Sequence, residues 1–219
     1  MATGLRERWR VKARRTIQEC ALDLFDERGY GAVTIEEIAA AAEVSPSSVY
    51  RYFGTKEGIL VADEFDTMSE EALAEILDVD DPVESMLQIV LRYEAVAGED
   101  ATRGAQAVGG DAATPAAGRA SQGERSPWRR VRYFFQEPSV RMAACAALDR
   151  AGQRIAPLLV GGGRGLTEAQ ARVAANALVF GYFAALEQWY LEGGDQPIAG
   201  YVEKGMSPLR AIWSDASRS

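Results

Sequence analysis

Residues 34–56, TIEEIAAAAEVSPSSVYRYFGTK, constrain this chain more than any other stretch. Thr34 and Glu37 have the spacing of a capping box, in which each side chain satisfies an orphan backbone N–H of a helix start. Ile35, Ile38, Ala39 and Ala42 then recur at helical spacing, giving about two turns with one apolar face. Glu43-Val44 breaks the run. Ser45-Pro46 restarts a helix, with serine as N-cap and proline at the first helical position, where its missing N–H costs nothing. The second helix, 46–52, turns Ser47 and Ser48 outward, while Val49 and Phe53, four apart, face inward. Two short helices joined this way form a helix-turn-helix, whose second helix enters the DNA major groove.

The charge distribution suits that reading. The chain of 219 residues carries a formal −8, which argues against indiscriminate coating of nucleic acid. Yet Arg6, Arg8, Arg10, Lys12, Arg14 and Arg15 against Glu7 give residues 1–15 a net +5, residues 16–57 carry −5, and the remainder −8. A basic arm on an acidic body favours local phosphate contact over general binding. The length allows one large or two small domains with real cores, and the expected division is a DNA-binding unit at 1–57 and a second unit at 58–219.

Other chemistries are excluded by composition. The chain has no histidine, which removes Ser-His, Cys-His and His-metal sites. Cys20 and Cys145 are too few and too far apart for a disulfide framework or a zinc site, so no metal or cofactor is expected. Gly161–Gly165 lacks the GK[ST] ending of a phosphate loop and reads as a hinge. With no run of eighteen apolar residues and no signal-peptide core, the expectation is a cytoplasmic protein with no membrane partner.

The rest of the chain reads as helices: 7–28, a long one from Lys56 to about Leu77, one opening at Asp81-Pro82 and carrying Met86 to Tyr93, then 127–136, 138–160, 167–192 and 197–213 with a bend at Pro208. Residues 98–126 contain no Leu, Ile or aromatic side chain and read as a loop, with a lid over a pocket as the functional alternative. No alternating run suggests a strand, so the fold class is all-α.

Phe25-x-x-x-Gly29-Tyr30, Val33-Thr34-Ile35-x-x-Ile38-Ala39, Ala42-x-Val44-Ser45 and Val49-Tyr50-x-Tyr52-Phe53-x-x-Lys56-Glu57-x-x-Leu60 together resemble the TetR-type bacterial transcriptional regulators. The resemblance covers about the first quarter of the chain, and departs from the family at Glu43, where glycine is frequent. It implies an N-terminal three-helix head, a C-terminal bundle for ligand binding and dimerisation, and a homodimer on a palindromic double-stranded operator. It would place Thr34, Tyr50, Tyr52 and Lys56 on phosphates, and Pro46, Ser47, Ser48 and Arg51 towards base edges, with Ser45 opening the reading helix.

The expected function is therefore a ligand-responsive repressor released by a small hydrophobic effector. Met86, Tyr93, Trp128, Phe134, Phe135, Met142, Phe180, Phe183 and Trp189 are the expected cavity lining, aromatic and thioether-rich with few charges. The last two helices are the expected dimer contact, with Gly181, Ala177, Ala184 and Ala185 as a small-residue seam. The rival readings are a non-specific architectural DNA binder and an enzyme built on the aromatic cavity. Against the enzyme, no paired carboxylates in an apolar setting are in view.

Overall fold

The computed structural model describes residues 2–63, 65, 68–92, 94, 127–162 and 164–215. The expected loop and lid at 98–126 lie outside these, as does Tyr93, and the side chain of Trp128 is likewise outside what is described. The described residues form helices and contain no strand. The head comprises α1 (Ala2–Arg28), α2 (Ile35–Ala41), α3 (Pro46–Phe53) and α4 (Lys56–Val61). The body comprises α5 (Glu70–Ile76), α6 (82–92), α7 (Val131–Gln136), α8 (Pro138–Gly161), α9 (Glu168–Leu191) and α10 (Ile198–Asp215). α1 begins at Ala2 rather than residue 7, because Leu5–Arg15 is dominated by strong helix formers.

Head packing follows the apolar periodicity. Ile17, Ala21 and Phe25 of α1, Ile38 and Ala39 of α2, Val49 of α3 and Ile59 and Leu60 of α4 are all buried around one centre. α4 sits close on the end of α3 because residue 58 is glycine: a Cβ there would lie 2.0 Å from the Phe53 carbonyl oxygen.

The expected continuous helix from Lys56 to Leu77 does not form. α4 stops at Val61, Ala62 turns extended (φ −64°, ψ 128°), and α5 starts afresh behind Ser69, whose hydroxyl accepts from Ala72 N at 3.2 Å. The cause is side chains from elsewhere that take the carbonyls a continuing helix would use. Gln18 Nε2 donates to Ile59 O (2.9 Å) and Ala62 O (3.1 Å). Arg130 donates to Ala62 O (2.7 Å) and to the Asp63 carboxylate (2.6 Å), and Arg154 of α8 donates to the carbonyls of Phe65 and Met68. Ala62, Asp63, Phe65 and Met68 thus form a joint, held from three directions.

In the body, α9 packs between α8 and α10. Ala171, Ala175, Leu178 and Leu186 of α9, Val140, Ala144, Ile155 and Leu159 of α8, and Ile198, Val202 and Met206 of α10 are all buried in the shared core. Thr167 and Gln170 form a capping box at the start of α9. Gly181 and Gly205 allow the α9–α10 approach: a Cβ on Gly181 would meet Leu209 Cδ1 at 2.8 Å, and one on Gly205 would meet Ala185 Cβ at 3.0 Å. Gly181 and the buried Ala185 therefore belong to a seam within the chain, not to the expected intermolecular one. The reason is that α10 folds back over this side of α9, which spacing along α9 alone does not reveal.

Candidate nucleic-acid interface

α2 opens with the capping box foreseen from Thr34 and Glu37. Thr34 Oγ1 accepts from Glu37 N (3.2 Å), and Glu37 Oε2 accepts from Thr34 N (2.8 Å). The Thr34 N–H, then Arg28 (2.7 Å), hold the Glu37 carboxyl at about 2. α2 ends in a Schellman motif, with Val44 N donating to Ala39 O (2.9 Å) and Glu43 N to Ala40 O (3.2 Å). Glu43 occupies its left-handed position with φ 54°, the one described non-glycine residue with positive φ.

α3 then presents a row of hydroxyls. Ser45 Oγ accepts from Ser48 N (3.2 Å) and lies 2.9 Å from Ser47 Oγ and 3.0 Å from Ser48 Oγ. Arg51 donates to Ser48 Oγ (3.4 Å), and its guanidinium lies 5.0 Å over the Tyr52 ring. Val49 is fully buried and anchors the helix, which leaves Pro46, Ser47, Tyr50 and Arg51 exposed and Ser48 and Tyr52 half-buried. Tyr50 is 50% exposed, so it is a surface side chain rather than part of the core. Phe53 is half-buried beneath the Arg14 guanidinium at 5.4 Å.

Lys56 behaves differently from the expected phosphate cation. Its ammonium donates to Tyr30 O (2.9 Å) and Val33 O (3.0 Å) and sits 4.1 Å above the Tyr30 ring. Two of its three donors thus secure the 30–33 turn to the start of α4. Glu57 completes the grip by accepting from Tyr30 OH (3.0 Å). Burial, and next that bond, raise the Tyr30 phenol above its ordinary range.

A charged clasp joins head to body, and sequence reasoning missed it. Arg129 donates to Asp26 Oδ2 through Nε (2.8 Å) and to Asp23 Oδ1 through Nη1 (2.8 Å), while Arg132 and Tyr133 OH also donate to Asp26. Burial alone would raise the Asp26 carboxyl. The bonds from Tyr133 and Arg129 and the charges of Arg129 and Arg132 outweigh it and hold the group below its ordinary value. Burial, then the bond to Asp26, push Tyr133 up to about 12. Phe25, Tyr30 and Tyr133 pack as an aromatic trio beneath, with centroids 5.0–6.3 Å apart. The signal that could have found this clasp is the matched spacing of Asp23/Asp26 on α1 and of Arg129, just before α7, with Arg132 within it, each pair three apart.

Among the described residues, the expected aromatic cavity is not assembled. Phe134, Phe135, Phe183 and Tyr190 stack on one another (Phe135–Phe183 5.1 Å, Phe135–Tyr190 5.5 Å), capped by Arg141 with its carboxylate partner Glu187 at 2.7 Å. Trp189 packs on Gly194 and donates to Gln196 O (2.7 Å), closing the end of α9, and Met86 is half-buried against the core. Met142, 74% exposed, and Phe180, 38% exposed, face away from the bundle. Their large apolar side chains suggest burial, but these two positions fall on outward faces of α8 and α9. A cleft of about 300 Å³ opens instead between α5 and α8, lined by Glu70, Leu73, Arg150, Gln153, Arg154, Pro157 and Leu158. It adjoins the joint through Arg154. On α9, Val173, Ala177, Phe180, Ala184 and Leu191 form an exposed stripe interrupted only by Gln188.

Comparison with known proteins agrees with this architecture. Residues 17–62 match the family described as bacterial regulatory proteins, tetR family. The HTH-type transcriptional regulator HbdR of Aromatoleum sp. (strain CIB) is 39% identical over 94 residues, 41% of this chain and 41% of that protein. The regulator TcmR of Streptomyces glaucescens is 41% identical over 56 residues, 26% of this chain and 25% of its own. The chain therefore matches less than half the length of these curated relatives. Among solved structures, TylP from Streptomyces fradiae, described as a TetR regulator, superposes with TM-score 0.50 at 21% identity over 95% of this chain and 82% of that one. The fatty acid degradation regulator FadR from Bacillus halodurans does so with TM-score 0.50 at 15% identity over 90% and 94%. At these identities the two structures share the fold.

Proposed function

We propose, from the match of residues 17–62 to the tetR family and the likeness to HbdR, that the chain is a TetR-type homodimeric repressor that binds a palindromic operator and releases it when a small, largely apolar effector binds. The observation that carries the DNA half is the solvent-facing row Ser47, Ser48, Tyr50 and Arg51 on a helix anchored by the buried Val49. Short hydroxyls let the backbone of α3 approach base edges, and Arg51 brings a guanidinium suited to guanine or phosphate. Tyr50, Tyr52 and Thr34 flank this row and contact phosphates. Lys56 is a positioning residue first, holding the turn to α4, with one donor left for phosphate.

The homodimer is supported by the exposed α9 stripe. Two copies laid together there, flanked by α10, bury Val173, Phe180 and Leu191 and set two heads on one face of a duplex, which dictates a two-fold operator. For the effector, Leu73, Pro157 and Leu158 give the α5–α8 cleft an apolar share, and Arg154 connects it to the joint. A ligand there competes for Arg154 and loosens residues 62–68. The clasp of Arg129, Arg130 and Arg132 then carries the shift to α1. The ligand must prefer the non-DNA conformation, typically by about 1–3 kcal/mol.

Footprinting on the DNA upstream of the chain's own gene tests the proposal, followed by a salt titration of specific against random duplex. Protection of a two-fold site, lost on adding an effector found by screening apolar metabolites, is the expected result. A specificity ratio near one would favour the architectural reading instead.

A further inference from the structure

Two arginines on α8 lack the partners that the chain gives their neighbours. Arg141 on the same helix is paired with Glu187 at 2.7 Å, and Arg172 on α9 with Asp149 at 2.6 Å. Arg150 and Arg154 have no carboxylate partner among the described residues. Arg154 is turned to the joint, where two of its donors go to the carbonyls of Phe65 and Met68, and its guanidinium lies 5.2 Å over the Phe65 ring. Arg150 is exposed and has no hydrogen-bond partner among the described residues. The acid next to it in sequence is already taken: Asp149 accepts from Arg172 (2.6 Å) through one oxygen and from Gln153 (2.8 Å) through the other. The two cations lie four apart on one helix face, where like charges repel. A chain of net −8 thus leaves a place for a negative group that its described residues do not fill.

Both arginines line the cleft of about 300 Å³ between α5 and α8, with Leu73, Pro157 and Leu158 as its apolar share and Glu70 on the α5 wall. Glu70 is exposed and forms no ion pair among the described residues. Two arginines against one carboxylate leave the lining at +1, which a monoanion neutralises and a dianion overshoots. The geometry points to an amphipathic monocarboxylate as the effector, an assignment that rests on the repressor reading and on this cleft as its sensor. Its carboxylate sits between Arg150 and Arg154, and its hydrocarbon body lies on Leu73, Pro157 and Leu158. A carboxylate brings the charge that the Phe65 and Met68 carbonyls lack. Charge-assisted hydrogen bonds are roughly twice as strong as neutral ones, and a guanidinium meets a carboxylate through two parallel donors. Arg154 therefore moves its fork from the joint to the ligand, and the carbonyls of Phe65 and Met68 lose their donor. Arg150, with no bond to give up, supplies affinity, while Arg154 supplies the coupling. An alcohol on the same hydrocarbon body is no better an acceptor than those carbonyls and leaves the joint closed. Glu70 sets the upper limit of charge by repelling a second negative group.

The test uses the full chain and two matched pairs of probes, octanoate with octanol and hydrocinnamate with hydrocinnamyl alcohol. Binding is measured by isothermal titration calorimetry without DNA, and operator affinity by fluorescence anisotropy on a duplex that the wild-type protein selects from random sequence. At least one carboxylate should bind about tenfold or more tighter than its alcohol, the weight of a hydrogen bond to a charged group. The same carboxylate should lower operator affinity about fivefold or more. Arg150→Gln should erase most of the preference for the acid, and Arg150→Lys should keep part of it, since lysine retains the charge without the fork. Glu70→Gln should tighten carboxylate binding by about twofold or more and admit the dianion octanedioate, a gain that misfolding cannot produce. Acid and alcohol bound alike, neither carboxylate bound, or a preference that survives Arg150→Gln would each overturn the assignment, while a selected operator keeps the repressor reading intact. Failure to select any operator, with the Arg150-dependent preference present, would remove the repressor reading and keep the carboxylate site.

Discussion

Glu43→Gly should stabilise the protein by an amount the backbone sets. Glu43 sits at the left-handed position that ends α2, with φ 54°, and its side chain is exposed. An L-residue in that conformation is disfavoured by roughly 1–2 kcal/mol through the contact of its Cβ with the following carbonyl. Glycine removes the contact but adds freedom to the unfolded chain, returning about 0.4–1 kcal/mol. The net gain is about 0.5–1 kcal/mol, or roughly 1–4 °C in Tm for a chain of this size. Thermal unfolding followed by circular dichroism measures it. Glu43→Gln is the control, since it removes the charge and keeps the strained backbone, so it should leave Tm within about 1 °C. A lower Tm for Glu43→Gly, or an equal rise for Glu43→Gln, would refute the backbone argument. Both substitutions should tighten operator binding somewhat, because each removes a negative charge one turn from the reading helix.

Three further outcomes follow from the packing. Gly58→Ala should cost about 2–3 kcal/mol in urea unfolding, because its Cβ would meet the Phe53 carbonyl at 2.0 Å and lift α4 off α3. Asp26→Asn should flatten the acid limb of the stability curve. The folded carboxyl is held below its ordinary value, so its contribution is complete above about pH 4 and disappears as pH falls through the folded value. Urea titrations at several pH values read this directly. Ala184→Arg should convert a dimer into a monomer in sedimentation velocity without lowering Tm of the isolated chain, because residue 184 is exposed on the α9 stripe. A dimer that persists would move the interface elsewhere.

Legibility in the sequence divides by the range of the interaction. The Thr34–Glu37 box and the Ser45-Pro46 start are local chemistry, legible in the sequence within three residues, whereas the Thr167–Gln170 box has the same spacing and went unread. The α9 stripe was readable as a repeat, but not which of its members face α10, so Gly181 and Ala185 were assigned to the wrong seam. The break at 62–68 was half-written. Ser69-Glu70-Glu71 is a helix-start signal, yet the side chains that hold the carbonyls of Ala62, Phe65 and Met68 come from positions 18, 130 and 154. Lys56 shows a similar limit. A cation opening a helix at a DNA-binding head suggests phosphate, while its actual partners are two carbonyls over twenty residues upstream.

The joint also bears on transplantation. Exchanging reading heads between regulators is a natural way to rewire a response, and a crossover after α4 looks safe when only the chain path is considered. Here a cut directly after α4 would leave Gln18 and the Ile59 carbonyl together, but would separate Gln18 from the Ala62 carbonyl and Asp23 and Asp26 from Arg129 and Arg132. A foreign head lacking acids at those two α1 positions would leave Arg129 and Arg132 facing a neutral helix. The chimera could fold and bind its new operator, yet have lost the connection through which the body governs it. Portability of this head is thus decided by two aspartates on α1 that lie outside the DNA-reading helix.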